Sequence, residues 1–148
     1  MSKAITEIVH ETVPILAAMG IEVLESETGR AVAVLPFEPN RNHVGTAYAG
    51  SLFSVAEVLG GVLALSSFTL EGYAPVVKSM SITYLKPALG DVTASAQLPA
   101  EEIERILREA TEAGKSDYEL IVNVTDANGV TVATTVGQYQ LRSFAPKA

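Results

Sequence analysis

The chain has 148 residues, enough for one domain with a sizeable hydrophobic core. Its 10 basic and 17 acidic side chains leave a net charge of −7, which disfavours contact with a phosphate backbone and argues against nucleic-acid binding. The absence of cysteine excludes disulfides, thiolate metal sites and cysteine nucleophiles, and it fits a cytoplasmic location. With two histidines and no nucleotide-binding fingerprint, we expect neither a metal site nor a cofactor.

The N-terminal part of the chain predicts a helix followed by a β-hairpin. Apolar residues recur at helical spacing over residues 2–18, and Pro14 is expected to kink or divide this helix. Residues 21–27 and 30–36 then predict two strands with Gly29 at the turn between them.

A turn-rich loop at 38–46 leads into a long apolar helix, predicted at about residues 49–68. This helix carries one charged side chain, Glu57, and no other Asp, Glu, Lys or Arg occurs between Arg41 and Glu71. We expect no membrane insertion, because the carboxylate lies in the middle of the segment and the apolar stretch after it is too short to span a bilayer. A helix that is apolar all round must instead be covered by protein on nearly every side.

The second half of the chain predicts strands at 75–85, 91–98, 117–125 and 130–142, with an amphipathic helix at 99–114. Asn128-Gly129 indicates a hairpin turn between the last two strands, and the tail at 143–148 is expected to be loose. The strand at 75–85 alternates. Its predicted apolar face, interrupted by Lys78, holds Val76, Met80, Ile82 and Tyr84, and its hydroxyl face holds Ser79, Ser81 and Thr83.

These elements predict an α+β fold in which a curved six-stranded antiparallel sheet wraps around the long central helix. An N-terminal helix and a short helix between strands 4 and 5 complete it, and a second copy covers the rest of the central helix. This arrangement is the hot-dog fold, and we expect residues 1–148 to form a single such domain. The expected assembly is a homodimer, or a tetramer of two dimers, paired through the strand at 75–85.

Glu57 admits two interpretations from the residues alone. Most helical glutamates simply face solvent. Here the residues three and four positions away, which are Phe53, Ser54, Gly60 and Gly61, supply no cation. A buried and unpaired carboxylate would have a raised pKa, and such acids are associated with active sites. A structural and a functional role for Glu57 therefore both stay open.

Residues 42–57 resemble a known motif. The segment Asn42-x5-Tyr48-x-Gly50-Ser-Leu-Phe-Ser-Val-Ala-Glu57 is similar to the signature of hot-dog thioesterases of the phenylacetate-pathway type. In that family an Asn is followed by a His-Gly-Gly turn and, seven residues after the second Gly, by Asp or Glu, the spacing found here. Residues 81–90 resemble a strand ending of the same family, and residues 42–52 are also similar to a related family of thioesterase domains. In this chain Tyr48 replaces the His of that motif, and Ala49 replaces its first Gly.

The resemblance implies an acyl-thioester hydrolase acting on acyl-CoA or on an acyl-carrier protein. The Gly50 amide, at the helix N-terminus, would polarise the thioester carbonyl, and Glu57 would act as a general base or as a nucleophile. Asn42 would position water or the carbonyl, and Tyr48 would line the acyl pocket or stand in for the His. This pocket is expected where the central helix of one subunit meets the other subunit. Further candidate substrate-binding residues are Ser51, Ser54 and Thr83.

Several alternatives remain beside this interpretation. A non-catalytic module could bind acyl thioesters in the same pocket, whereas hydratase chemistry would need a His–acid motif that the sequence lacks. The Ser54 hydroxyl could donate to Glu57 or bond its own helix backbone. His43 is expected to face solvent and His10 to be structural. Cations that could contact the phosphates of the carrier, or be ordinary surface charges, are Arg41, Lys78, Lys86 and Arg142.

Overall fold

The computed structural model describes residues 2–145, in which six antiparallel strands surround one long helix. The helices are α1 (Ser2–Thr12), α2 (Pro14–Ala18), α3 (Ala49–Ser67) and α4 (Ala100–Ala113), with a 3-10 turn at Glu38–Asn40. The strands are β1 (Glu22–Glu27), β2 (Arg30–Leu35), β3 (Tyr73–Tyr84), β4 (Val92–Gln97), β5 (Lys115–Thr125) and β6 (Thr131–Ser143).

The sheet has the order β1-β2-β4-β5-β6-β3, with every neighbouring pair antiparallel, and all six strands contact α3. This is the predicted hot-dog fold, and the predicted helix and strand ends agree with the observed ones to within two residues. Pro14 divides the N-terminal helix as expected, because Val13 leaves the helical region of backbone space and Pro14 begins a second helix. The predicted loose tail begins one residue too early, since Ser143 ends β6, and its residues 146–148 lie outside the described part of the chain.

The buried side of α3 packs on an aromatic cluster from the sheet. Tyr139 of β6 stacks on Tyr118 of β5, with ring centroids 5.6 Å apart, and Phe68 meets Tyr118 edge-on at 5.4 Å. Gly60 makes this packing possible, because a Cβ at that position would collide with the Tyr139 ring. By length and composition α3 is apolar enough to cross a membrane, but in this fold it is the core helix of the sheet.

A β-bulge on β3 changes the predicted faces of that strand. The register of β3 against β6 shifts by one residue at Lys78. Val77 is therefore the residue opposite Tyr139 on the inner face, and Val76 lies on the outer face. The predicted placement of Val76 on the same face as Met80 was wrong, because the bulge absorbs the residue that interrupted the alternation.

One side of the core is open in the described chain. On α3, Gly61 is exposed and Leu65 is 53% exposed. On the inner face of β3, Val77 is 42% and Tyr84 47% exposed. β3 lies at the end of the strand order, so its outer edge has no partner strand within residues 2–145. The sheet thus covers the central helix incompletely.

Candidate active site

The N-terminus of α3 leaves two backbone amides free. Tyr48 is the N-cap residue, and its side chain makes no capping hydrogen bond. The amides of Ser51 and Leu52 both donate to the Tyr48 carbonyl, at 3.0 and 3.1 Å, whereas those of Ala49 and Gly50 have no acceptor within residues 2–145. The aligned peptide dipoles add partial positive charge at this end. The Gly50 amide is therefore able to bind a ligand oxygen.

Two tyrosine rings flank this helix start. The Tyr48 ring folds back over Gly50, so a Cβ at Gly50 would lie 2.6 Å from ring atom Cε2. Tyr84 reaches from β3 and donates its hydroxyl to the Ala49 carbonyl at 2.9 Å. A side chain at position 50 would therefore displace the Tyr48 ring from this position. The sequence placed Tyr84 only on a strand face; its position beside α3 depends on the pairing of distant strands.

Asn42 holds together the loop that precedes α3. Its side-chain oxygen accepts hydrogen bonds from the amides of Val44 and Thr46, at 3.0 and 3.1 Å, and its Nδ2 donates to Thr46 Oγ1 at 2.8 Å. One Nδ2 hydrogen is left for a ligand. The residue also lines a cavity of about 380 Å³ together with Ala49, Tyr84 and others.

Glu57 lies two turns further along α3, in the wall of a larger cavity of about 540 Å³. Across the described residues, its carboxylate forms neither an ion pair nor a hydrogen bond, although Tyr139 donates to its main-chain carbonyl at 3.2 Å. Burial raises the pKa of the Glu57 carboxyl above its usual value. An unpaired carboxylate of increased basicity is suited to take a proton from water.

The other predicted substrate-binding residues lie apart from the Glu57 carboxylate. Ser54 is between Gly50 and Glu57, but its hydroxyl donates to the Gly50 carbonyl at 2.8 Å, which is the backbone alternative given above. Ser51 is buried, with 3% of its surface exposed. Thr83 is on the outer face of the sheet, away from α3.

The candidate phosphate-binding cations are also scattered. Lys78 pairs with Asp117 at 3.4 Å, Arg41 pairs with Glu38 at 3.1 Å, and Arg142 lies over the Phe144 ring. Lys86 is the member of this set that lines the cavity at Asn42. His10 is structural, since its Nε2 is 2.7 Å from the Ile21 carbonyl, and His43 is exposed. From residue 2 to residue 145, no three His, Cys, Asp or Glu side chains are grouped to hold a metal ion.

Gly50 and Glu57 belong to two separate half-sites within one chain. They lie on the same helix face about 10 Å apart along its axis, given a rise of 1.5 Å per residue. Because helix amides point toward the N-terminus, an oxygen bound at Gly50 lies still farther from Glu57. The two cavities share no lining residue. We call Asn42, Tyr48, Gly50 and Tyr84 the amide half-site, and Glu57 with its cavity the acid half-site.

The sheet topology and this helix define a member of the hot-dog thioesterase superfamily. The chain belongs to the family described as a domain of unknown function, DUF4442, whose model matches residues 2–140. It is 36% identical to a protein of unknown function from Pseudomonas aeruginosa, described as a probable thioesterase, with a TM-score of 0.90 over 97% of this chain and 96% of that one. The resemblance to hot-dog thioesterases noted in the sequence is thereby confirmed.

More distant solved structures share the fold. A thioesterase from Haemophilus influenzae is 14% identical, with a TM-score of 0.78 over 99% of this chain and 93% of that one. The PaaI protein from the phenylacetic acid degradation operon of E. coli is 21% identical, with a TM-score of 0.70 over 95% of this chain and 91% of that one. No curated protein matches the chain.

Proposed function

We propose that this protein hydrolyses acyl thioesters carried by coenzyme A or by an acyl-carrier protein. The observation that carries the proposal is the unpaired Glu57 carboxylate in the wall of a cavity, on the same helix as a free Gly50 amide. The two groups match the needs of the reaction, which are a base for water and a donor for the developing oxyanion. The similar Pseudomonas protein described as a probable thioesterase supports the same activity.

In the proposed reaction, Glu57 takes a proton from a water molecule whose oxygen adds to the thioester carbonyl carbon. The Gly50 amide donates to the carbonyl oxygen as it becomes negative. The C–S bond then breaks, the leaving sulfur takes up the proton held by Glu57, and a carboxylic acid and a free thiol are formed with the Glu57 carboxylate regenerated. A route in which the Glu57 carboxylate itself attacks the carbon, to give an anhydride that water then opens, uses the same two groups.

We further propose that each site is shared between two copies of the chain, in a homodimer or in a tetramer of two dimers. One carbonyl group is too small to contact Gly50 and Glu57 of the same helix, given their separation of about 10 Å. A second copy, placed over the open side of α3 and the free edge of β3, brings its own Glu57 to the first copy's Gly50. Burial of the half-exposed inner face of β3 favours the same pairing.

Free-thiol release from a panel of acyl-CoAs tests the proposed activity. We expect turnover by the purified protein and little by a Glu57→Gln variant measured in parallel. Tight binding of acyl-CoA with no thiol release would contradict hydrolysis and would favour the non-catalytic binding module.

A mixing experiment tests the shared site. Glu57→Gln and Gly50→Pro variants each lose one half-site, but a hybrid dimer keeps one intact pair of half-sites. Co-expression in equal amounts should restore about a quarter of wild-type activity, the share expected for random pairing in a two-fold dimer. Hybrid dimers that form, as verified by mass spectrometry, yet stay inactive would contradict the shared site.

A further inference from the structure

The cavity at Glu57 is elongated along α3. Its α3 lining begins at Glu57, continues through Gly61 and ends at Phe68, a distance of about 16 Å along the helix axis. α1 and α2 form another wall, and the first residues of β3 close the far side. The volume of about 540 Å³ falls within the usual range for small-molecule pockets. The acid therefore lies at one end of a long cleft.

Apart from Glu57, this cavity presents no uncommitted polar side chain. The Thr12 hydroxyl donates to the Ile8 carbonyl at 2.8 Å, and the Tyr73 hydroxyl donates to the Ala110 carbonyl at 3.0 Å. None of the lining residues is Lys, Arg or His. A hydroxyl or second carboxylate on a ligand would be desolvated here without a partner. The cleft suits an apolar occupant.

Two adjacent glycines on α3 have different surroundings. At Gly60 a side chain would collide with Tyr139, so packing explains that glycine. At Gly61 an added Cβ meets nothing within 4 Å, and the residue lines the cavity one turn beyond Glu57. A helical glycine costs about 1 kcal/mol relative to alanine, so packing within this chain gives no reason for it. The room at Gly61 would admit either a ligand or the second copy placed over the open side of α3, and only a ligand predicts the dependence on acyl length that is tested below.

We propose that this cleft holds the acyl chain of the substrate, that the chain is apolar, and that Gly61 sets how far it can extend. This inference rests on the proposed thioesterase function. A methylene chain advances about 1.3 Å per carbon, because C–C bonds of about 1.5 Å meet at the tetrahedral angle. A length of about 16 Å therefore holds about a dozen carbons, which makes medium-chain aliphatic thioesters the substrate class.

The test compares the wild type with Gly61→Leu across linear acyl-CoAs from about four to about sixteen carbons. For the wild type, we expect kcat/KM to rise up to about fourfold for each added methylene and to level off near a dozen carbons. In Gly61→Leu the added side chain blocks the cleft one turn beyond the acid. The rise should then stop at about four to six carbons. Thr111→Leu, at an exposed position on α4, is the matched control and should keep the wild-type profile.

A second readout separates this inference from the proposed function. Non-hydrolysable S-alkyl-CoA thioethers of the same lengths are titrated into both proteins by calorimetry, and light scattering verifies that the assembly is unchanged. Affinity that rises with length in the wild type but not in Gly61→Leu supports the cleft, even if no thioester is hydrolysed. Hydrolysis with a flat length profile, or an identical profile in Gly61→Leu, would overturn the acyl cleft while leaving the thioesterase proposal intact.

Discussion

The C-terminal end of α3 is tied to the β1–β2 hairpin by hydroxyl groups, whereas the N-terminal end keeps amides that the described chain leaves free. At the C-terminal end, Ser67 Oγ accepts from the Gly29 amide at 2.9 Å, and Thr28 Oγ1 donates to the Ser66 carbonyl at 3.2 Å. At the N-terminal end, the Tyr48 side chain does not cap the helix, and the Gly50 amide has no acceptor within residues 2–145.

The two ends of α3 thus differ in whether their polar groups are bonded within the described chain. Helix ends are normally satisfied by side chains or solvent, and an unsatisfied buried polar group costs free energy. The chain supplies a serine and a threonine hydroxyl where α3 meets the hairpin, whereas at the start of α3 the Ser54 hydroxyl donates to the Gly50 carbonyl and leaves the Gly50 amide free among the described residues. The same contrast distinguishes the Glu57 carboxylate, which has no partner among residues 2–145, from the half-buried ion pairs on α4, such as Arg105 with Glu109 at 2.7 Å. We expect the Gly50 amide and the Glu57 carboxylate to be available for substrate.

The largest expected effect is on Glu57. Glu57→Gln keeps the shape of the side chain but removes the base, so thioester hydrolysis should fall by about 10²–10⁴ while the fold persists. The measurement is kcat/KM for the best acyl-CoA, with Glu104→Gln on the exposed face of α4 as the control. A Glu57→Gln protein with near wild-type turnover would remove Glu57 from the mechanism.

The second-largest expected effect comes from removing the backbone N–H of Gly50. Gly50→Ala and Gly50→Pro both add a Cβ that pushes the Tyr48 ring aside. Only the proline also removes the backbone N–H of residue 50. That N–H donates to no acceptor within the described chain, so its loss breaks no internal hydrogen bond. We expect kcat to be about 10²–10³ lower in Gly50→Pro than in Gly50→Ala, the usual cost of a lost oxyanion donor. Circular dichroism verifies that both variants keep their helix content. Equal kcat values in the two variants would show that the amide has no catalytic role.

At the other end of α3 the expected effect is on stability alone. Ser67 is 5% exposed, so Ser67→Ala leaves the Gly29 amide without its partner and should cost about 1–3 kcal/mol of unfolding free energy. The midpoint of thermal unfolding should fall by several degrees. Activity measured well below that midpoint should match the wild type. A loss of kcat at low temperature would mean that this end also takes part in function.

The smallest expected effect is on the pH dependence of stability. Because burial raises the pKa of Glu57 in the folded state, its protonated form is favoured by folding. The protonated carboxyl therefore contributes to the free energy of unfolding in full below the unfolded-state pKa, and this contribution is lost as pH rises through the folded-state pKa. Glu57→Gln should therefore be more stable than the wild type near neutral pH, with the difference vanishing near about pH 4. Urea midpoints at both pH values measure this, and a constant difference would contradict the burial effect.

Local patterns in the sequence were sufficient to predict the secondary structure and to single out Glu57 as an unusual residue. Hydropathy set the limits of α3, and the isolation of one acid among apolar residues pointed to its unusual environment. The bulge at Lys78 was not predicted, because a single interrupted alternation is also compatible with a regular strand. The pairing of β3 with β6 is what assigns Val77 to the inner face.

The arrangement of the candidate site was harder to predict than its residues. The hydrogen bonds of Asn42 within its own loop, and that of Ser54 to Gly50, are short-range and could have been anticipated from turn and helix chemistry. The cleft at Glu57 could not, because its walls come from α1, α2, α3 and β3, which are distant in sequence. The role suggested for Gly61 became visible only beside the contacts of Gly60.

Four of the five tyrosines of this chain form two pairs in different surroundings. The protein contains no tryptophan, so its near-ultraviolet signals come from tyrosine and phenylalanine. Tyr118 and Tyr139 are buried against α3, and burial raises the pKa of both phenols well above the usual range. Tyr48 and Tyr84, at the amide half-site, are about half exposed. Near-ultraviolet dichroism thus reports on the packing of the central helix, and the absorbance of the exposed pair reports on ligand arrival, without any added label.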